Sequence, residues 1–167
     1  MIKVGDKLPG GTLFEYIEVA TEGCSLGPNP VDVAKATAGK TIAIFGVPGA
    51  FTPTCSVQHA PGYIEHAGAF KAAGVQEIWC VSVNDAFVMN AWGNSLQVGD
   101  AVKMIGDGNG EFSEALGLTQ DLSARGLGRR SQRYAMLVDD QVVQYIAVES
   151  PGKFEVSDAA SLLAVLR

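Results

Sequence analysis

Charge, cysteine and long apolar runs are all scarce in this chain, and each shortage removes a class of function. Charged residues make up 18% of the 167, below the roughly 25% of ordinary globular domains. Their balance is acidic, with a net charge of −6. The largest basic cluster is Arg129, Arg130 and Arg133, too small for a nucleic-acid footprint, so no nucleic-acid partner is expected. No apolar run approaches the ~20 residues that cross a bilayer, and the first residues, Met1 to Asp6, lack the hydrophobic region of a signal peptide. The expectation is a soluble, cytoplasmic protein with no membrane partner. Cysteine is limited to Cys24, Cys55 and Cys80, too few and too irregularly spaced for a secreted disulfide framework. No Cys-x-x-Cys occurs, which disfavours a dithiol catalyst of that kind. Repeats, low-complexity tracts and linkers are also missing, so residues 1–167 read as one domain, long enough to bury a real core. Glycine is the plentiful residue, 20 in all. With so few charges, that points to a compact α/β domain with economical loops.

The chain is organised around residues 42–59. An apolar, β-branched run over 41–45 reads as a buried strand, which breaks at Gly46, Pro48 and Gly49. Thr54 then reads as the N-cap of a helix, placing Cys55 in or beside its first turn. Unpaired backbone N–H groups and the helix dipole favour negative charge there, so a thiol in that position is biased towards the reactive thiolate. The C-terminal end of a buried strand is also where α/β proteins place their sites.

Pro48, Thr52 and Cys55 form Pro-x-x-x-Thr-x-x-Cys within Gly46-Val-Pro-Gly-Ala-Phe-Thr-Pro-Thr-Cys-Ser. This stretch resembles the active-site motif of the peroxiredoxins, and its longer form looks like the type II, or peroxiredoxin-5-like, subgroup. The likeness continues through Gly62-Tyr-Ile, Val81-Ser-Val-Asn-Asp-Ala-Phe-Val, Gly106-Asp-Gly-Asn-Gly and Arg133-Tyr-Ala-Met-Leu-Val-Asp-Asp, covering most of the chain after residue 39. It implies a thioredoxin-like fold and a thiol-dependent peroxidase acting on hydrogen peroxide and organic hydroperoxides, without cofactor or metal. It also implies a homodimer built from loops near the site, with Phe51, Phe87 and Trp92 as candidate contacts.

Peroxide reduction needs a thiolate to attack one oxygen while charge develops on the other, so fixed donors must surround both. Cys55 supplies the nucleophile and becomes a sulfenic acid. Thr52, three residues earlier, can place its hydroxyl near both sulfur and peroxide. Pro48 is stiff, has no N–H, and can shield the thiolate from water. Arg133 matches the family's active-site arginine and would stabilise the thiolate while donating to peroxide. Its neighbours Arg129 and Arg130 compete for the role, so the choice rests on the resemblance.

The animal-type members of the subgroup carry a resolving cysteine before the last helix, where residues 151–157 contain none. Cys80 matches the second cysteine of the plant-type members. Set in an expected strand over 77–83, it lies roughly 10 Å below the level of Cys55 at ~3.3 Å per residue. A disulfide needs Cα atoms about 4.4–6.8 Å apart. An external thiol such as glutathione, glutaredoxin or thioredoxin is therefore the preferred reductant, with Cys80 the alternative; Cys24 has no motif partner.

Competing readings are weaker. His59 could share a helix face with Cys55, but no third group completes a hydrolase. Cys55, His59 and Cys80 lack paired zinc-ligand spacing. His66 reads as solvated. A non-enzymatic thioredoxin-like redox sensor or binding and chaperone module would have no need of Thr52, Cys55 and Arg133 together.

The remaining elements follow from periodicity and turn signals. Strands are expected over 12–19, 77–83, 102–105, 134–138 and 142–148, the last two forming a hairpin. Loops are expected over 21–30 and 119–132. Helices are expected over 31–38, after Cys55 with a kink at Pro61, from Asn84 or Asp85 to 96, over 111–116, and from a Ser157 cap to 166. These elements make an α/β sandwich with a mixed sheet.

Overall fold

The computed structural model describes residues 1–17 and 26–166; Cys24 and the last two residues of the first expected strand lie outside them. A seven-stranded mixed sheet forms the centre, in the order β2-β1-β5-β4-β3-β8-β9. Its strands are β1 (Thr12–Ile17), β2 (Gly27–Asp32), β3 (Thr41–Val47), β4 (Glu77–Ser82), β5 (Lys103–Gly106), β8 (Tyr134–Asp139) and β9 (Val142–Val148). β3, β4 and β5 run parallel, and the outer strands pair antiparallel. Central β3 is buried from Ile42 to Val47. Both its faces are covered, so its sequence is continuously apolar rather than alternating. Ala43, Phe45 and Val47 enter one core, while Ile42 and Ile44 enter the other.

Among the described residues, six α-helices flank the sheet: α1 (Val33–Thr37), α2 (Ala60–Glu65), α3 (Ala67–Ala72), α4 (Ala86–Ser95), α5 (Glu111–Leu116) and α6 (Ala159–Val165). Tyr63, Phe70, Met89, Trp92, Leu162 and Leu163 pack α2, α3, α4 and α6 into the first core. Val33, Phe112 and Leu116 anchor α1 and α5 in the second.

Several expectations change. Across the end of the expected loop and the start of the expected helix, Gly27–Asp32 is an edge strand, with Pro28 and Pro30 opposite Tyr16 and Phe14. Proline is tolerated only at such an edge, where no ladder donor is missed. The helix expected over 31–38 is correspondingly shorter, and the Asp32 carboxylate caps it at Lys35 N, 3.1 Å. The long loop at 119–132 folds as a ribbon of β6 (Thr119–Asp121) and β7 (Arg129–Ser131) with a 3-10 turn at Ser123–Arg125 between them. Three-residue polar strands carry no hydrophobic period, so the sequence pattern gives no sign of them. Asp85 caps α4 by accepting from Val88 N, and Asp158, not Ser157, caps α6 at Ser161 N. The β8–β9 hairpin closes on Asp140 and Gln141, both at positive φ (45° and 71°), the geometry that matches strand twist in a two-residue turn. Gly46 in β3 is required by packing. A Cβ there would sit 2.1 Å from the ring of Tyr134, its antiparallel partner.

Candidate active site

The loop leaving β3 is pinned from several sides. Asn84 Oδ1 accepts from Ala50 N at 3.0 Å and from Ser82 Oγ at 2.6 Å. Thr52 Oγ1 donates to Gly49 O at 2.7 Å, and Arg130 Nη1 donates to Pro48 O at 3.3 Å. These ties hold Phe51 at φ 62° with its side chain 56% exposed, a conformation that a bulky residue adopts only when its surroundings impose it.

The helix begins two residues earlier than expected. Thr52 O accepts the first helical bond, from Ser56 N at 2.9 Å, and Pro53 follows at the first helical position, where its missing N–H costs nothing. Thr54 already has helical angles (φ −64°, ψ −39°) and makes no side-chain capping bond; the cap position belongs to Thr52. Cys55 stays in the first turn, among the N–H groups without a helical acceptor. From Cys55 to His59 the backbone widens into a π-helical turn, in which Ala60 N–H bonds Cys55 O. Pro61 accounts for this turn. An α-helix would need its absent N–H, and its ring would collide with the carbonyl four residues back. The expected kink is a widened turn.

That turn swings His59 inward. His59 is fully buried, packed against Phe45, Tyr63 and Phe154 at centroid distances of 4.8, 5.6 and 5.1 Å. Its Nε2 lies 2.9 Å from Ser157 O, which can only accept, and its Nδ1 lies 2.9 Å from Arg133 Nη1, which can only donate. The two partners impose the neutral tautomer protonated on Nε2. Burial and then the Arg133 charge push the imidazole pKa down to about 3, against the weaker pull of the Ser157 carbonyl.

Arg133 immediately precedes β8. Its second terminal nitrogen, Nη2, donates to Cys55 Sγ at 3.1 Å, and its guanidinium carbon lies 5.9 Å over the Phe154 ring. Arg129 instead pairs with Glu114 at 3.0 Å, and Arg130 serves the Pro48 loop. Of the three neighbouring arginines, Arg133 is the one on the thiol. Thr52 departs from expectation in one respect. Its hydroxyl proton is committed to Gly49 O, so the oxygen is left to accept.

Cys80 lies in β4 opposite Phe45, two residues before the strand ends at Ser82 rather than three. It shares a core with Cys55, and both are free thiols. Burial pushes the Cys80 thiol well up; the nearby Cys55 adds to this, and Arg133 opposes it. Trp92, expected at an interface, is buried and donates its indole N–H to Ser56 Oγ at 2.9 Å. His66 is half-buried and bonded to Gly62 O at 2.8 Å rather than solvated. Among the described residues no three His, Cys, Asp or Glu side chains gather to hold a metal, and no helix is long and apolar enough to cross a membrane.

The Redoxin family pattern matches residues 3–163. The chain is a peroxiredoxin of that family. The chloroplastic peroxiredoxin-2E-2 of Oryza sativa subsp. japonica is 52% identical to it over 99% of this chain and 72% of its own. The reduced Prx3 of Vibrio vulnificus, solved in complex with hydrogen peroxide, is 47% identical with a TM-score of 0.92 over the whole of both chains. A Burkholderia cenocepacia chain solved under the name thioredoxin reductase is 64% identical with a TM-score of 0.98, covering 100% of this chain and 99% of that one. These likenesses extend through the thioredoxin-like fold, and this peroxiredoxin is a thiol-dependent peroxidase. Sequence reasoning named Cys55, Thr52, Pro48 and Arg133 but missed the groups around them. His59 offered a signal in its four-residue spacing from Cys55. Asn84 and Ser157 read from the sequence only as helix caps, and Phe154 and Glu149 offered no signal, because these contacts form only in the folded chain.

Proposed function

We propose that this peroxiredoxin reduces hydrogen peroxide and organic hydroperoxides at Cys55. The observation that carries the reading is the Arg133 Nη2 contact with Cys55 Sγ at 3.1 Å, with Nη1 held on His59. A cation fixed on the sulfur favours the thiolate and leaves N–H groups beside the position an incoming peroxide oxygen takes. The sulfur attacks one oxygen and forms an S–O bond as the O–O bond breaks. Cys55 is oxidised to the sulfenic acid, and the departing oxygen takes a proton to leave as water or alcohol. Thr52 accepts from the peroxide hydroxyl, and Pro48 walls off water.

An external thiol completes the cycle in this reading. Its sulfur attacks the sulfenic sulfur, water leaves, and a second thiol releases Cys55 from the mixed disulfide. The burial of Cys80 supports this route, because a neutral thiol sealed in a strand is a poor attacker. Glutathione, glutaredoxin or thioredoxin fits the role. Free thiols suit a reducing compartment, here taken as the cytoplasm.

The test follows peroxide consumption with glutathione or dithiothreitol, for the wild type and Cys55→Ser. Consumption abolished by the substitution is the expected result. A serine variant keeping more than half the wild-type rate would end the reading. Mass spectrometry of the oxidised protein should show a Cys55 mixed disulfide, and a stoichiometric Cys55–Cys80 bond would overturn the external route.

A further inference from the structure

Beside the reactive cysteine lies a buried carboxylate that takes no part in the chemistry above. Glu149 directly follows β9, and its backbone N–H donates to Arg133 O at 2.9 Å, so the ladder places it next to Arg133. Its side chain turns to the segment that leads into α6. Oε2 accepts from Glu155 N, Val156 N, Ser157 N and Ser157 Oγ at 2.9, 2.9, 2.8 and 2.7 Å, and Oε1 accepts from Glu155 N at 2.9 Å. Burial pushes this carboxyl up, but the Ser157 hydroxyl and the three backbone donors outweigh it and hold it below the usual carboxylate range.

The segment so gathered delivers two groups to the site. Ser157 O accepts from His59 Nε2 at 2.9 Å and from Tyr63 OH at 2.9 Å. Phe154 sets its edge on His59 and its ring under the Arg133 guanidinium. His59 presents its Nδ1 lone pair to Arg133 because its Nε2–H donates to Ser157 O, and Arg133 presents Nη2 to Cys55 because Nη1 is tied to His59. The chain of contacts runs from Glu149 to the sulfur without a gap.

Resting on the reading that Cys55 reduces peroxide, we infer that Glu149 is a positioning residue for that step, aiming the Arg133 guanidinium through the 154–157 segment and His59. Its carboxylate touches neither the sulfur nor the space above it; its effect is the direction of one N–H fork. Misplacing such a group by an ångström costs up to about 10²-fold in rate.

The experiment measures two reactions of Cys55 in each variant: oxidation by hydrogen peroxide in stopped flow, and alkylation by iodoacetamide. Both consume the thiolate, but only peroxide needs the guanidinium to hold a departing oxygen. A loosened fold would move both rates together. In Glu149→Ala the ratio of oxidation to alkylation should fall by about 10- to 100-fold. Glu149→Gln keeps the oxygen that takes four of the five bonds and should stay close to wild type. Should the alanine variant not fold, Glu149→Asp keeps the charge but withdraws it by one methylene, and its ratio should fall part-way. An unchanged ratio in the alanine or aspartate variant, or a glutamine variant as impaired as alanine, would overturn the inference. Those results leave the peroxidase reading standing if the wild type consumes peroxide; a wild type that does not would sink that reading instead.

Discussion

Arg133 spends one nitrogen on Cys55 and another on His59, so a single side chain holds the sulfur and is itself held. Replacing it with methionine keeps bulk and removes both bonds. Arg133→Met should lower the rate of Cys55 oxidation by peroxide by about 10²-fold or more, the size of a lost transition-state donor. Rapid-mixing kinetics check this, and a rate unchanged from wild type would move the role away from arginine. His59 makes a second prediction. Protonating it in the fold would set an imidazolium 2.9 Å from a guanidinium. Burial first, and then that juxtaposition of charges, lower its pKa from 6.5 to about 3. Unfolded chain takes up the proton below 6.5 and folded chain does not, so stability is full above that value and drains away as pH falls towards 3. The loss approaches about 1.4 kcal/mol per pH unit. Urea titrations at pH 7, 6 and 5 should show this slope in the wild type and a flatter one in His59→Gln, whose amide can serve both partners without titrating. Equal slopes would show that His59 is not the group responsible.

At the scale of elements, helix ends do much of the placing. The Asp158 carboxylate accepts from Ser161 N at 3.1 Å and Ser161 Oγ at 2.5 Å, which starts α6 directly after the segment that carries Phe154 and Ser157. Asp158→Ala should cost about 1 kcal/mol of stability, the usual worth of an N-cap. Thermal unfolding measures it, and an unchanged midpoint would mean that tertiary packing alone sets this helix end. The π turn from Cys55 to His59 works in the other direction: Pro61 opens the ladder, and the wider turn aims Cys55 and His59 into one buried corner. The strand–helix order could be read from hydrophobic runs because β3, β4 and β8 are apolar along their length. Edge strand β2 and the β6–β7 ribbon could not, because an edge or polar strand has little apolar surface to bury and so little pattern to show.

At the scale of the whole molecule, two phenylalanine rings stand exposed among the described residues. Phe51 is 56% and Phe87 59% exposed, and Phe87 leans on Tyr16 at 5.5 Å between centroids. The homodimer that the sequence resemblance implies would cover Phe51 and Phe87, without Trp92, which the first core already encloses. Light scattering at micromolar concentration should give twice the 17.5 kDa chain mass, and Phe51→Asp with Phe87→Asp should return the monomer. A wild type of 17.5 kDa would count directly against the dimer.

By itself the sequence determined the family, the mixed α/β order and the place of Cys55 after a buried strand. These depend on short spacings and apolar runs that lie contiguously in the chain. It named Arg133 through resemblance, since nothing local separates that residue from Arg129 and Arg130. Only the tertiary structure decided which guanidinium reaches the sulfur, because the β3–β8 register brings position 133 beside the start of the Cys55 helix. It also decided that His59 is neutral and that Glu149 and Ser157 stand behind it. Those residues lie 16 and 24 positions beyond Arg133 in the chain. Hydrogen bonds across such separations have no signature in a single sequence; they exist once the strands have paired and the helix has packed.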